Sequence, residues 1–411
     1  MAERLRIIVS GLAATYPFGG VFWDYIQYLL GFHRLGHDVL YLEDTGRWCY
    51  DPDRQTYVED GSTNARHLDT QLRRLDPALG DRWFYRDANG RCFGLSPERV
   101  RRFCRSADVF LNISASCWMR DEYFAADRVA FLDSDPMYTQ ASLADVASGH
   151  APSDAIARVA TLREHDVFFT FGLNLGQPDC LVPTGGICWH HTRQPVVLDC
   201  FAPIPQAKRR MVFTTVGSWE PRKNDGPIVN GVQYRGKSVE FLRFLELPKH
   251  APAALELAIG EPAPLLQLQS HGWRVQPAID ISEDPWVYRD YLGYSTGECS
   301  VAKNAYVAGR TGWFSTRTAC YLALGVPAVV QETGFSKALP TGKGLFAFTN
   351  MDEAAAAIGQ IIANPERHAR AARAIAETHF DANTVLTDML EIIDATPSRD
   401  SIGSTATPPR E

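Results

Sequence analysis

The sequence predicts an α/β protein of two parallel-sheet domains facing a central cleft, and three observations predict it. Residues 6–42 read as a strand, a Gly-Gly loop, a helix and a second strand. A fresh strand-helix series starts at Met211, after the proline- and charge-bearing connector 201–210. Near the C-terminus, Gly312-Trp313-Phe314-Ser315-Thr316 opens a helix that leads through Leu324-Gly325-Val326-Pro327 into a β-branched run. At 411 residues, with 45% hydrophobic content, the chain is long enough for two cores.

The elements follow in order. Arg6 to Gly11 is a short apolar strand, and apolar residues at 22, 25, 26, 29, 30, 32 and 35 keep helical spacing up to Gly36-His37-Asp38. Asp38 to Leu42 is the next strand, which completes a βαβ unit. Between Thr45 and Gly94 the chain is polar with weak periodicity, and this insertion yields no assignment. Ser96-Pro97-Glu98 starts a helix, with Ser at the cap and Pro at the first helical position. Strands follow at 108–113, 129–133 and 166–170. In the second half, a strand is expected at 211–217, a helix at about 237–247, a strand at 255–259 and helices after Met351. The expected domains are 1–205 and 206–380. A helix over 381–395 is expected to cross back to the first domain, followed by a disordered Ser/Thr/Pro-rich tail over 396–411.

A net charge of −7 and a pI near 5.9 argue against a surface devoted to polyanions, so no nucleic-acid partner is expected. Nine cysteines stand scattered with no Cys-x-x-Cys pair, which suits reduced thiols in a cytoplasm. There is no run of about 18 apolar residues, and MAERLRIIVSG passes straight into a strand pattern. A cytoplasmic protein with no integral membrane segment is the expectation. Oligomeric state is not legible.

Candidate chemistry gathers at the loops. Ser315 and Thr316 at a helix start combine hydroxyl donors with free backbone N–H groups and the positive end of the helix dipole, which suits an anion; ordinary capping would use the same residues. Gly19 and Gly20 open the first helix, where bare backbone approaches a phosphate or simply turns tightly. Asp133 and Asp135 stand just past a strand, at the functional end of a parallel sheet, and could take a proton from an acceptor. Asp-x-Asp also admits magnesium, and turn capping is the plain alternative. Tyr16, Phe18, Phe22, Trp23, Trp118 and Tyr138 lie on or near these loops; Tyr16, Phe18 and Trp23 are the expected acceptor-binding residues. Glu43 and Asp44 end the second strand where a ribose-binding acid would sit, but the first loop lacks Gly-x-Gly-x-x-Gly. Pro340-Thr341-Gly342-Lys343-Gly344 does not have Walker A spacing. Cys180, Cys188, His190 and His191 match no zinc spacing, so no metal site is expected.

With these phrases on the page, the chain resembles the glycosyltransferases of the GT-B fold, two Rossmann-like domains around a cleft. Gly19-Gly20-Val21 through Arg34-Leu35-Gly36-His37-Asp38-Val39 looks like their first βα unit. Gly312-Trp313-Phe314-Ser315-Thr316 is similar to the Gly-Trp-Asn-Ser-Thr core of the plant-type members, and Leu324-Gly325-Val326-Pro327 to a corner shared across the fold. The resemblance implies transfer of a hexose-like sugar from a nucleoside-diphosphate sugar, with UDP and GDP among the candidate nucleotides, to a soluble small-molecule acceptor. No tightly bound cofactor is implied. It places the donor diphosphate at Gly19, Gly20, Ser218, Lys237, Arg310, Ser315, Thr316 and Arg317, and the sugar at Glu332, Thr333 and Gly334. Ser218 replaces the usual arginine, for which Arg222 and Lys223 are nearby substitutes. The glutamate pair common in retaining members is Gly312 and Cys320 here, and the plant-type histidine falls at about Arg310. A sugar-nucleotide epimerase, a NAD-dependent oxidoreductase and a non-catalytic nucleotide-sugar-binding protein remain as alternatives.

Overall fold

The computed structural model describes residues 4–149, 151–219, 226–260 and 262–396. Arg222, Lys223 and the tail from 397 onward lie outside the described residues.

The first domain is a sheet of eight strands: β1 (Arg6–Ser10), β2 (Asp38–Asp44), β3 (Trp83–Arg86), β4 (Cys92–Gly94), β5 (Val109–Ile113), β6 (Arg128–Asp133), β7 (Val167–Thr170) and β8 (Trp189–His191). Their order is β8-β7-β6-β5-β1-β2-β3-β4, parallel throughout except for the β3–β4 pair. The expected βαβ unit is present, with Arg6 opposite Asp38 and helix Gly19–Arg34 between the strands. Ser96 caps helix Pro97–Cys104, its hydroxyl accepting from the Arg99 N–H.

The polar stretch 45–94, to which the sequence assigns no elements, is structured. It holds a hairpin (Cys49–Asp51 with Thr56–Val58), helix Ser62–Leu75, strand β3 and the edge strand β4. These strands are only four and three residues long, too short for a periodic signal to emerge.

The second domain is a wholly parallel six-stranded sheet of β9 (Arg210–Ser218), β10 (Ala254–Gly260), β11 (Arg274–Pro277), β12 (Ser295–Ser300), β13 (Ala328–Gln331) and β14 (Leu345–Phe348), in the order β11-β10-β9-β12-β13-β14. The helix expected over 237–247 ends at Arg243. Helix Asn304–Gly309 stands between β12 and Gly312, so the turn that opens the next helix does not leave a strand directly. Gly312 has φ +76°, and the Asn174 backbone of the first domain occupies the space a Cβ would need.

The domains are held by packing. The Trp23 side chain is buried against Phe201 and Trp286, and its indole N–H donates to the Pro285 carbonyl at 2.8 Å. Truncating an aromatic so buried costs about 3–5 kcal/mol. The last helix, Ala382–Asp394, lies on the first domain, with Leu386 against Gly31 of helix Gly19–Arg34. Val196 exchanges backbone hydrogen bonds with Phe380 and Ala382 beside it. The loops after β6 and β12 touch across the cleft, where Lys303 reaches Asp135.

Candidate functional site: a cationic strand end facing two carboxylates

β9 ends in Val216-Gly217-Ser218 because the chain there must admit two cations. A Cβ on Gly217 would stand 3.1 Å from Lys237 Nζ and 3.8 Å from an Arg317 nitrogen. Lys237 begins helix Lys237–Arg243 after Gly236, and Arg317 begins helix Thr316–Ala323 after Ser315. Ser315 makes no side-chain cap, so the first N–H groups of that helix have no side-chain acceptor from their own cap.

Arg317 is built into the domain. Its Nε donates to Glu298 Oε1 at 2.9 Å, and its other nitrogens donate to the Val216 carbonyl and to Ser300 Oγ at 2.7 and 3.1 Å. Glu298 is fully buried, and its second oxygen has no hydrogen-bond partner among the described residues. Lys237 is different: no described residue pairs with its ammonium. Desolvation, followed by the charges of Arg317 and Lys303, lowers its pKa to about 7. A small recess on the far side of Arg317 is lined by Ser300, Trp313, Ser315, Arg317, Gln331 and Thr333. Ser218 lies exposed at the strand end.

The other residues expected at the donor are employed elsewhere. Arg310, left-handed at φ +49° and 63% exposed, points to the rim, 4.0 Å from Asp179 of the first domain. The Thr333 hydroxyl donates to the Trp313 carbonyl at 2.6 Å, and the Thr333 carbonyl accepts from the Gly312 N–H, so this residue braces the turn. The Glu332 carboxylate accepts from the Gly334 N–H. Gly19 is also redirected. A Cβ there would stand 2.5 Å from Tyr288 Cβ, so the glycine makes room for helix Pro285–Gly293, while Gly20 has only ordinary contact with the same ring.

Three carboxylates occupy the first-domain side, and they differ sharply. Asp133 is 2% exposed and accepts from Gln140, Thr139 and Thr170 at 2.7, 3.1 and 3.1 Å. Burial pushes its pKa up to about 6, yet its contacts tie it to the start of helix Tyr138–Ala147 and to Thr170 at the end of β7. Its proton-transfer role is therefore corrected: a carboxylate beneath the surface and already bonded cannot meet an acceptor. Asp135 faces the cleft, where Lys303 donates to it at 3.0 Å and the Tyr306 hydroxyl also donates. Those partners outweigh desolvation and hold it below the usual carboxylate range. The third, Asp24, escaped the sequence reading. It stands on helix Gly19–Arg34 with its side chain exposed. Desolvation raises its pKa to about 7, with Thr316 and Arg317 opposing the rise and Asp135 adding to it. A lone acid inside the apolar run Val21-Phe22-Trp23-Asp24-Tyr25-Ile26 was the available signal.

Of the expected acceptor aromatics, Trp23 and Phe22 are core, each 1% exposed. Tyr16 and Phe18 are half-buried, set against Tyr57 and Tyr50 of the 49–58 hairpin. Trp118 is exposed, and Tyr138 lies beneath Lys303 with the ammonium 5.0 Å from its ring centre.

The acids expected to hold ribose in an oxidoreductase are committed inside the first domain. Glu43 accepts from the Ala14 and Thr15 N–H groups and from the Tyr41 hydroxyl. Asp44 accepts from Arg120 and from the Tyr123 hydroxyl. Among the described residues no three His, Cys, Asp or Glu side chains gather as a metal site. No helix among them is long and apolar enough to cross a membrane.

No protein-family model matches the chain, and no curated protein matches it in sequence. Solved structures match along nearly its whole length. A crystal structure of HepE from Anabaena in complex with UDP and glucose has a TM-score of 0.55 at 12% identity, covering 95% of this chain and 100% of that one. A glycosyltransferase from Rickettsia africae has a TM-score of 0.53 at 12% identity, covering 95% and 98%. An alpha-glucosyltransferase in complex with UDP-glucose and DNA containing an abasic site has a TM-score of 0.54 at 11% identity, covering 95% and 100%. The chain has the GT-B fold.

Proposed function

We propose that this GT-B chain transfers a hexose-like sugar from a nucleoside-diphosphate sugar on its second domain to a small-molecule acceptor held by its first. The observation that carries the reading is the Lys237 ammonium, without a partner among the described residues, beside Arg317 and an uncapped helix start. A diphosphate supplies the missing charge: the oxygens take Lys237, Arg317 and the N–H groups after Ser315, which stabilises the leaving group as the glycosidic bond breaks. The sugar then lies toward Glu332 and the recess beside Trp313. Tyr16 and Phe18 offer the acceptor an aromatic wall. The nine free thiols suit a reducing cytoplasm.

UDP is the first nucleotide to test, because the HepE and alpha-glucosyltransferase structures contain it or UDP-glucose. Calorimetry against UDP, GDP, dTDP and NAD should show binding of at least one nucleoside diphosphate and none of NAD. NAD binding alone would sink the reading. Diphosphate binding with no sugar turnover would make the chain a binding protein, and turnover that inverts a sugar carbon on the intact nucleotide would make it an epimerase.

A further inference from the structure

We infer that the cavity between helix Ser62–Leu75 and the 49–58 hairpin holds the acceptor, and that the acceptor is a neutral polyhydroxylated ring, a sugar or cyclitol. The acceptor role rests on the function proposed above. The cavity measures about 300 Å³, the lower end of the range for small-molecule sites. Pro17 lines it from the loop after β1, Pro52 and Asp53 from the hairpin after β2, and Thr63, Asn64 and His67 from the helix. Both loops leave the carboxyl end of the first sheet, where open parallel sheets hold ligands. Tyr16 and Phe18, on either side of Pro17, pack against Tyr57 and Tyr50 and hold the hairpin in place. The same loop runs on to Gly19, over which Tyr288 stands.

Two lining residues carry buried polar atoms without partners. Asn64 is 1% exposed, and its amide nitrogen donates to the Tyr50 and Ala14 carbonyls at 2.8 and 2.7 Å. Those bonds use both amide hydrogens and fix the side chain, yet its Oδ1 has no hydrogen-bond partner among the described residues. Three residues along the helix, His67 Nε2 is buried and also without a partner among them. Desolvation lowers the pKa of this ring, with the charge of Asp284 opposing, so the imidazole is neutral at pH 7. A buried polar atom left unpaired is costly, and native structures normally supply a partner. The asparagine oxygen needs a donor, while a neutral imidazole nitrogen either gives or takes one hydrogen bond. A hydroxyl answers both.

The remaining walls narrow the ligand further. Asp53 and Arg66 are exposed and set one charge of each sign at the rim, which favours a ligand without net charge. Thr63 and Thr70 add hydroxyl oxygens, and Pro17 and Pro52 present C–H surface that suits the apolar face of a ring. A lone arginine with an aspartate for company does not suit a diphosphate. The two substrates are thereby kept apart, the donor beside Lys237 and the acceptor here.

The test uses the full chain, with glucose, mannose and myo-inositol as neutral probes and gluconate and glucosamine as charged controls. Saturation-transfer NMR in the presence of UDP should show at least one neutral probe bound, more tightly than either control. His67→Phe keeps an aromatic ring but removes Nε2, and should weaken that binding about 3- to 10-fold. Thr70→Trp sets a large side chain at the exposed edge of the cavity and should abolish it. In both variants UDP affinity should stay within about twofold of wild type, and urea unfolding should show the fold intact. No neutral probe bound by a chain that binds UDP, or equal binding in wild type and both variants, would overturn this inference alone. A control bound more tightly than every neutral probe would overturn the choice of a neutral ligand. Neutral probes bound as expected by a chain that binds no nucleoside diphosphate would overturn the proposed function and the acceptor role, and leave a polyol site.

Discussion

Gly19 opens the first helix of the first domain and Gly217 stands near the end of the first strand of the second, and their missing side chains make room for different things. Over Gly19 sits the Tyr288 ring, which locks one domain against the other. Over Gly217 sits the Lys237 ammonium, with Arg317 close behind. Glycine at such a place announces that something approaches closely; tertiary packing decides whether a core side chain or a cation that wants a ligand arrives. The first arrangement consumes its space, whereas the second leaves a positive charge unsatisfied. That difference predicts opposite phenotypes on the two sides of the cleft.

The largest effect should come from Arg317, which belongs to both roles. Arg317→Leu strips Glu298 of its cation in a fully buried site, and breaking a buried pair from one side costs about 3–5 kcal/mol. Urea unfolding should show that loss, and UDP binding should fall with it. Stability close to wild type would mean that the Glu298 pair does not support the second site.

Lys237→Ala should leave the fold intact and weaken UDP binding by about 1.5–3 kcal/mol, the range for hydrogen bonds to charged groups. The pH dependence sharpens this. The free ammonium titrates near 7, and a bound diphosphate would raise that value, so binding above pH 7 takes up a proton. Wild-type affinity should therefore fall as pH rises past 7, and calorimetry on Lys237→Ala should show that dependence flattened.

The smallest effects test the first site. Gly19→Ala forces a methyl against Tyr288 and should cost about 1–3 kcal/mol of stability. Gly20→Ala, with 3.5 Å to the same ring, should stay within about 0.5 kcal/mol. Neither should change UDP affinity. A clear affinity loss in Gly20→Ala, with the fold intact, would put a phosphate back on this loop and dissolve the contrast.

Legibility followed the range of the interactions involved. Strands β1, β2, β5, β6 and β7 and helix Gly19–Arg34 show in the sequence because their apolar residues face a core at regular spacing. Strand β12, Ser295-Thr-Gly-Glu-Cys-Ser300, shows no such pattern although every residue is buried. Its polar side chains find partners mostly on other elements, Ser295 on Thr214, Thr296 on the Arg210 carbonyl, and one Glu298 oxygen on Arg317. Asp133 and Asp135 look equivalent in sequence, two residues apart past one strand. The helix that follows Asp133 turns it inward and Lys303 draws Asp135 into the cleft.

By itself, then, the sequence determined the two-domain α/β architecture and the turns where a ligand is to be sought, since both depend on local periodicity and on residue types that end strands and start helices. Only the tertiary structure decided which glycine serves packing, which carboxylate stays ionised and which meets solvent with a raised pKa. Burial, charge and hydrogen bonding at these positions come from residues more than a hundred places away, as with Lys303 on Asp135 and Arg317 on the Val216 carbonyl, and no local pattern encodes such partners.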